Sequence, residues 1–268
     1  MSDSSCSGWA LILGASSGFG AATSLELARR GFDIVGVHLD RKTTMPLADQ
    51  IQAEVRGLGR QAFFFNLNAA DANKRHEVTQ HLAEKLKESN QPAGLKLLFH
   101  SLAFGTLKPL CPAEGGDAIT QSQLEMTLDV MANTLVYWAQ EIVRARLMGP
   151  GGHILAMSSE GASLAWPGYG AVGAAKAALE AYCRQLAVEL APEGIAVNAI
   201  RAGVTDTAAL RKIPGHEQMI EHALRRNPHR RLTTPEDVAR FVASLVSNPT
   251  GWLTGNVLGV DGGERIAG

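Results

Sequence analysis

The chain has little cysteine and no surplus of either charge. Three thiols, Cys6, Cys111 and Cys183, stand among 268 residues. Their spacing fits no metal-binding pattern, and an odd number cannot be fully paired. The expectation is reduced, structural thiols in a cytoplasmic protein. Lys and Arg number 25 against 26 Asp and Glu, for a formal net charge of -1. Such a balance gives no support to a nucleic-acid-binding surface. Arg225, Arg226, Arg230 and Arg231 do cluster. The expectation there is a solvated helix end and loop, with a phosphorylated carrier as the one partner it could touch. No apolar run approaches the roughly 20 residues that a membrane helix needs. Met1 to Gly8 is short and polar and carries Asp3. It is expected to be a flexible N-terminus, neither a signal peptide nor an anchor. There is no internal repeat and no break in composition that would mark a linker, so residues 9–268 read as a single domain.

What is present is an alternation. Apolar residues make up 46% of the chain, enough for a sizeable core. Short apolar runs at Trp9–Leu13, Asp33–Val37, Ala62–Phe65, Leu95–His100, His153–Met157, Ala196–Ile200 and Asn256–Val260 predict seven strands. Helical patterns of ten or more residues separate them, the first from about Phe19 to Arg30. The prediction is α/β, a Rossmann-type doubly wound parallel sheet. Gly203 to Asn227 is the longest irregular stretch, and loops of that length are usually lids or binding loops.

Directly after the first strand comes Gly14-Ala15-Ser16-Ser17-Gly18-Phe19-Gly20. Glycines there let the backbone turn sharply and approach a pyrophosphate, while the following helix offers amide donors and a positive dipole end. In a strand–turn–helix setting this is a dinucleotide-binding signature. An acid at the end of the second strand would bind the adenosine ribose and repel a 2′-phosphate. His38 takes that place, followed by Asp40, Arg41 and Lys42. The two cations favour NADPH and Asp40 favours NADH; the reading leans to NADPH. Asn68 and Ala69, after the third strand, are candidates to flank the adenine. Ser101 and Ala103, after the fourth, are small enough for the chain to pass a ribose. Phe104 beside them is a candidate wall for an apolar substrate, although such a residue is more often core. His100 reads as a strand-end packing residue.

Tyr169 and Lys176 are separated by six residues, close to two helical turns. A phenol and an ammonium on one face could hold a carbonyl oxygen and a cofactor ribose together. Small residues surround the pair, which allows close packing. Ser159, ten residues before Tyr169, either adds a hydroxyl or caps backbone groups.

Together these residues resemble the short-chain dehydrogenase/reductase superfamily over nearly the whole chain. Within it they are most similar to the bacterial enoyl-acyl-carrier-protein reductases. His100-Ser101-Leu102-Ala103-Phe104 stands where ordinary members have Asn-Asn-Ala-Gly. Ordinary members space Tyr and Lys by three residues, which puts Val172 in the tyrosine's place. The six-residue spacing belongs to the enoyl reductase branch, as does Ala165-Trp166-Pro167-Gly168-Tyr169. Leu186-Ala187-Val188-Glu189-Leu190 and Asp206-Thr207-Ala208-Ala209-Leu210 look like the divergent, NADPH-using class. The tail from Gly255 to Gly263 is superfamily-wide. Met131 replaces the usual active-site Asn. Neither Ser159 nor Ala165, the two places where enoyl reductases carry a second tyrosine, is tyrosine here.

The resemblance implies NAD(P)H-dependent reduction of the double bond of a 2-enoyl thioester, carried by acyl-carrier protein or coenzyme A, in fatty-acid synthesis. Tyr169, Lys176 and Ser159 would be catalytic, and Phe104, Trp166 and Tyr169 would meet the substrate. Gly203, Thr205 and Thr207 would hold the cofactor's carboxamide and pyrophosphate, with the rest of 203–227 closing over the acyl chain. A homotetramer is implied as well. Two alternatives stand: a carbonyl or 3-oxoacyl reductase, against which Val172 and Met131 argue, and a nicotinamide-binding sensor without turnover.

Overall fold

A computed structural model describes residues 8–90, 94–112, 116–248 and 251–267. The N-terminal residues 1–7, Cys6 among them, lie outside the described residues. Gly8, read above as N-terminal tail, opens the first strand. Chain order is β1 (Gly8–Leu13), α1 (Gly18–Arg29), β2 (Phe32–His38), α2 (Met45–Gly57), β3 (Ala62–Asn66), α3 (Ala72–Glu88) and β4 (Leu95–His100). There follow α4 (Gln121–Leu128), α5 (Thr134–Arg144), β5 (His153–Ser158), α6 (Gly170–Leu190), β6 (Ala196–Ala202), α7 (His216–Arg226), α8 (Pro235–Ser247) and β7 (Val257–Val260).

The seven strands form one parallel sheet in the order β3-β2-β1-β4-β5-β6-β7. Strand side chains alternate between two faces, and here both faces are covered. Leu11 and Leu13 point into one core with Leu98, Trp138 and Leu179. Ala10 and Ile12 point into the other with Leu27, Phe99 and Val242. Each fully buried large apolar side chain contributes about 1.5–3 kcal/mol, so two such layers fix the sheet firmly.

Strand order reverses between β1 and β4, so the connections after these two strands leave toward opposite sides. In an open parallel sheet the crevice outside the strand carboxyl ends at that point is the usual ligand site. Register brings the relevant ends together, because Leu13 pairs with Val37 on one side and with His100 on the other. The glycine-rich turn, His38 and Ser101 therefore emerge along one rim.

The stretch from Gly203 to Asn227 is not irregular throughout. It holds a short 3-10 turn at Leu210–Lys212 and the eleven-residue α7. α7 buries only Ala223, yet Met219, Ile220, Ala223 and Leu224 recur at helical spacing, a period that the reading of this stretch as irregular passed over.

Candidate active site

The glycine-rich turn is shaped by backbone contact. Gly14 has φ +91°, and a Cβ on Gly20 would lie 2.0 Å from the Gly14 carbonyl oxygen. Any side chain there drives strand end and helix start apart. Ser17 precedes α1 with no side-chain cap, and no acidic residue stands in its first turn. The amides at that end are left for an anion. The residues present thus fit a dinucleotide pyrophosphate.

At the end of β2, His38 Nδ1 lies 2.9 Å from Asp40 Oδ2. Burial pushes the Asp40 carboxyl up, but hydrogen bonds from Thr44 and Ser16, together with His38, outweigh it and hold the group below its ordinary value. The carboxylate is thus engaged with its neighbours. Arg41 and Lys42 are exposed and have no ion-pair partner among the described residues. Asn68 Oδ1 accepts from the Ala70 amide, and the Ala69 carbonyl accepts from Trp138 Nε1 at 3.0 Å. These bonds set the shape of the loop after β3.

Tyr169 is not within a helix but caps the start of α6, where Pro167 and Gly168 precede it. Its carbonyl accepts from the Gly173 amide, so the phenol is still fixed to the first turn. The Tyr169 hydroxyl and Ser159 Oγ are 3.3 Å apart. The Ser159 side chain makes no cap bond at the turn it precedes, so the capping expectation is not met there. Burial pushes the Tyr169 phenol up, with the Ser159 bond pulling modestly the other way.

Lys176 lies two turns on and is buried. Its Nζ donates to the Met157 carbonyl at 2.7 Å and to the Leu102 carbonyl at 3.3 Å. The ammonium thereby bridges the carboxyl ends of β4 and β5, while the phenol reaches Ser159. Burial lowers the Lys176 pKa to about 8. His100 is fully buried, with Nε2 2.8 Å from Thr134 Oγ1. Burial first, and the Lys176 charge second, lower its pKa to about 3. A neutral imidazole beside a charged ammonium is consistent with packing.

Val172 and Met131 are both buried. Met131 sits in a π-helical turn, Asp129–Asn133, that joins α4 to α5. Together with Thr127 they fill the space that a side chain on Gly105 would need. The place from which an ordinary member's tyrosine and asparagine would act is therefore mainly apolar. Phe104 departs from the core expectation: it is 57% exposed. Ser101 is half-buried and Ala103 exposed on the same segment. Trp166 Nε1 donates to the Pro214 carbonyl at 3.0 Å, tying the segment before Tyr169 to the 203–227 stretch. Cys111 is exposed and free, so the structural-thiol expectation fails there, while Cys183 is buried.

Thr205 Oγ1 donates to the Gly203 carbonyl, and Thr207 Oγ1 accepts from the Leu210 amide. The Thr207 methyl lies 3.8 Å from where a Cβ on Gly18 would stand, so this segment passes the start of α1. Sequence reasoning missed Glu264. This buried carboxyl accepts from the Val204 amide through both oxygens at 3.3 Å and bonds the Asn227 side chain. It joins the two stems of the 203–227 stretch. Burial raises its pKa, the Val204 bond opposes this, and the nearby Glu160 charge adds to the rise. An acid directly after Asp261-Gly262-Gly263 was the only signal.

A glycine supports the phenol. A Cβ on Gly161 would lie 2.3 Å from Tyr169 Cε1. A rigid ring cannot yield as a flexible chain end would. Gly161→Ala is expected to swing the phenol off Ser159 and lower kcat about 10²-fold, the cost of roughly 1 Å of misplacement. Steady-state kinetics check this, with KM for the cofactor expected to hold.

The model of the enoyl-(acyl carrier protein) reductase family matches residues 14–264. The chain belongs to this family, within the short-chain dehydrogenase/reductase superfamily. It is 34% identical to 1-cyclohexenylcarbonyl-CoA reductase of Streptomyces collinus over 258 residues, 96% of this chain and 86% of that protein. It is 28% identical to a 3-oxoacyl-acyl-carrier-protein reductase of Thermotoga maritima over 256 residues, 96% of this chain and 97% of the relative. The crystal structure of the NADH enoyl-acyl-carrier-protein reductase of Aquifex aeolicus superposes with TM-score 0.82 at 26% identity, covering 97% of each chain. As a family member the chain is an NAD(P)H-dependent oxidoreductase. No helix among the described residues is long and apolar enough to cross a membrane, and no cluster of His, Cys, Asp and Glu among them could hold a metal.

Proposed function

We propose that this enoyl reductase family member reduces the carbon–carbon double bond of a 2-enoyl thioester on coenzyme A or an acyl-carrier protein. The observation that carries the reading is the Tyr169–Ser159 hydroxyl pair, 3.3 Å apart, together with the buried, apolar Val172 and Met131 that both close on Gly105. When bound, the nicotinamide supplies the hydride that reaches the β-carbon. Negative charge then builds on the thioester oxygen. Tyr169, kept protonated by burial, donates to that oxygen most strongly when the charge is greatest. Ser159 orients the phenol. Lys176 holds the ribose and adds positive charge nearby. The exposed Phe104 ring and Trp166 border the acyl group, and 203–227 closes over it to exclude water.

Asp40 is satisfied by its neighbours while Arg41 and Lys42 remain unpaired, which supports NADPH over NADH as the donor. Arg41→Ala is then expected to raise KM for NADPH on the order of tenfold, the worth of one charge-assisted bond, and to leave NADH use unchanged. Equal effects on both cofactors would remove Arg41 from the role. A homotetramer and a part in fatty-acid synthesis belong to the same proposal; light scattering checks the first.

The second reading, reduction of a 3-oxoacyl group, draws on the Thermotoga relative. A panel decides: purified protein with NADPH or NADH, and crotonyl, longer enoyl and 3-oxoacyl thioesters. Loss of nicotinamide absorbance with the enoyl substrates is expected. Oxidation with 3-oxoacyl substrates alone would replace the first reading by the second. Tight cofactor binding without any turnover would mark a sensor.

A further inference from the structure

We propose that the groove at the carboxyl end of α7, between His222, Arg225, Arg226 and Ala267, takes the phosphate of a phosphopantetheine arm. The inference rests on the thioester reading above and assigns the handle by which the carrier is held. The groove is open to solvent, with a volume of about 340 Å³.

Its charge is uncompensated. Arg231, in the same sequence cluster, pairs with Asp237, and Arg211 pairs with Asp206. Arg225, Arg226, Arg230 and Arg265 have no carboxylate partner within ion-pair distance among the described residues. Three are instead fixed by uncharged groups. Arg226 donates through Nε to the Ala267 carbonyl at 2.7 Å and through Nη2 to the Arg265 carbonyl. Arg230 donates to the Arg225 carbonyl at 2.6 Å. Arg265 Nη1 donates to Ser163 Oγ at 3.2 Å. The solvated helix-end and loop expectation holds for Arg225, Arg230 and Arg231, which are exposed, while the half-buried Arg226 departs from it. A helix carboxyl end favours one or two cations in its last turn, which accounts for Arg225 and Arg226. It does not account for Arg230 and Arg265, which lie beyond the helix. Of the two arginines that line the groove, Arg226 is held in place with Nη1 to spare and Arg225 stands exposed beside it, with Arg230 anchored on the Arg225 carbonyl just outside. A held guanidinium with a donor left over suits a phosphate, since it loses little side-chain freedom on binding.

Position gives the groove its purpose. Arg226 touches Arg265, and Arg265 touches Ser163. Ser163 lies on the segment that leads from Ser159 to Tyr169, next to Leu164, which is 51% exposed. A phosphate in the groove leaves the arm to run past Leu164 toward the Tyr169 hydroxyl.

The test is binding, so that it does not depend on turnover. Protein saturated with NADP+ is titrated calorimetrically with crotonyl-phosphopantetheine, crotonyl-pantetheine, crotonyl-coenzyme A and a crotonylated acyl-carrier protein. The phosphorylated arm is expected to bind about tenfold more tightly than the unphosphorylated one, the worth of a charge-assisted bond. Arg225→Glu and, separately, Arg230→Glu should bring that ratio to about one, with melting temperatures near that of the parent. Weakened binding of both coenzyme A and carrier-protein thioesters in the variants supports the shared phosphate. A parent that does not distinguish the two arms, or a ratio untouched by both variants, overturns the proposal. So does an effect confined to coenzyme A, which would place a nucleotide phosphate in the groove. Failure of enoyl reduction in the substrate panel would instead count against the thioester reading, and the two failures are read in separate experiments.

Discussion

Tyr169→Phe is expected to lower kcat by about 10²–10³, or roughly 3–4 kcal/mol of transition-state stabilisation. Among the described residues the phenol's hydroxyl has one side-chain partner, Ser159. Burial keeps it protonated, so it is available as a donor. A donor to the thioester oxygen matters little while that oxygen is a neutral carbonyl and much once charge gathers on it. The loss should therefore fall on kcat, with KM for the thioester changed far less. The ring itself packs against the core and stays in the variant, so stability should hold. Lost activity with an unchanged melting temperature is the expected pattern. Unchanged turnover would take Tyr169 out of the chemistry.

Acid is expected to destabilise the fold well above the range where carboxylates titrate. His100 and His153 are both fully buried, and burial lowers both pKa values, that of His100 to about 3. Neither ring nitrogen of His153 has a hydrogen-bond partner among the described residues. In the unfolded chain each imidazole takes up a proton near pH 6.5. For a depressed pKa the stabilising contribution is complete above the unfolded value and is lost as pH falls toward the folded one. The window for His100 is therefore from 6.5 down to about 3. Each pH unit in that window costs about 1.4 kcal/mol per group, so His100 alone removes about 2 kcal/mol by pH 5. Set against a total stability of about 5–15 kcal/mol, that is a large share. Denaturant melts at pH 7 and pH 5 measure it. His153→Leu should flatten the dependence, because an apolar side chain replaces a group whose polar atoms are unpaired. An unchanged slope in that variant would show that His153 is not part of the acid response.

Much of the fold was legible because its signals are local. Each β-run is apolar along its length, as a strand covered on both faces must be. All seven predicted strands appear in the sheet, with ends shifted by a residue or two. The glycine-rich turn was legible for a similar reason, since contacts as close as that of Gly20 on Gly14 leave no other residue type. The spacing of Tyr169 and Lys176 located both groups, but not that the phenol stands before the helix and the ammonium bonds two strand-end carbonyls.

What stayed hidden depends on contacts between distant segments. Glu264 acquires meaning only when β7 ends beside the exit of β6, 60 residues earlier in the chain. Phe104 and core phenylalanines look alike in sequence, and only its position on the rim leaves it exposed. The anchoring of Arg226 and Arg230 was hidden because their partners are backbone carbonyls, which no side-chain pattern announces.

The central claim is that the β-carbon of an enoyl thioester receives the hydride while Tyr169 steadies the thioester oxygen. The direct measurement uses NADPH deuterated at the transferred position of the nicotinamide, with a crotonyl thioester, and NMR of the acyl product. One deuterium at C3, with a solvent hydrogen at C2, is the result this account requires. An unlabelled, unreduced crotonyl group, alongside deuterium on the carbinol carbon of a 3-oxoacyl substrate, would contradict it.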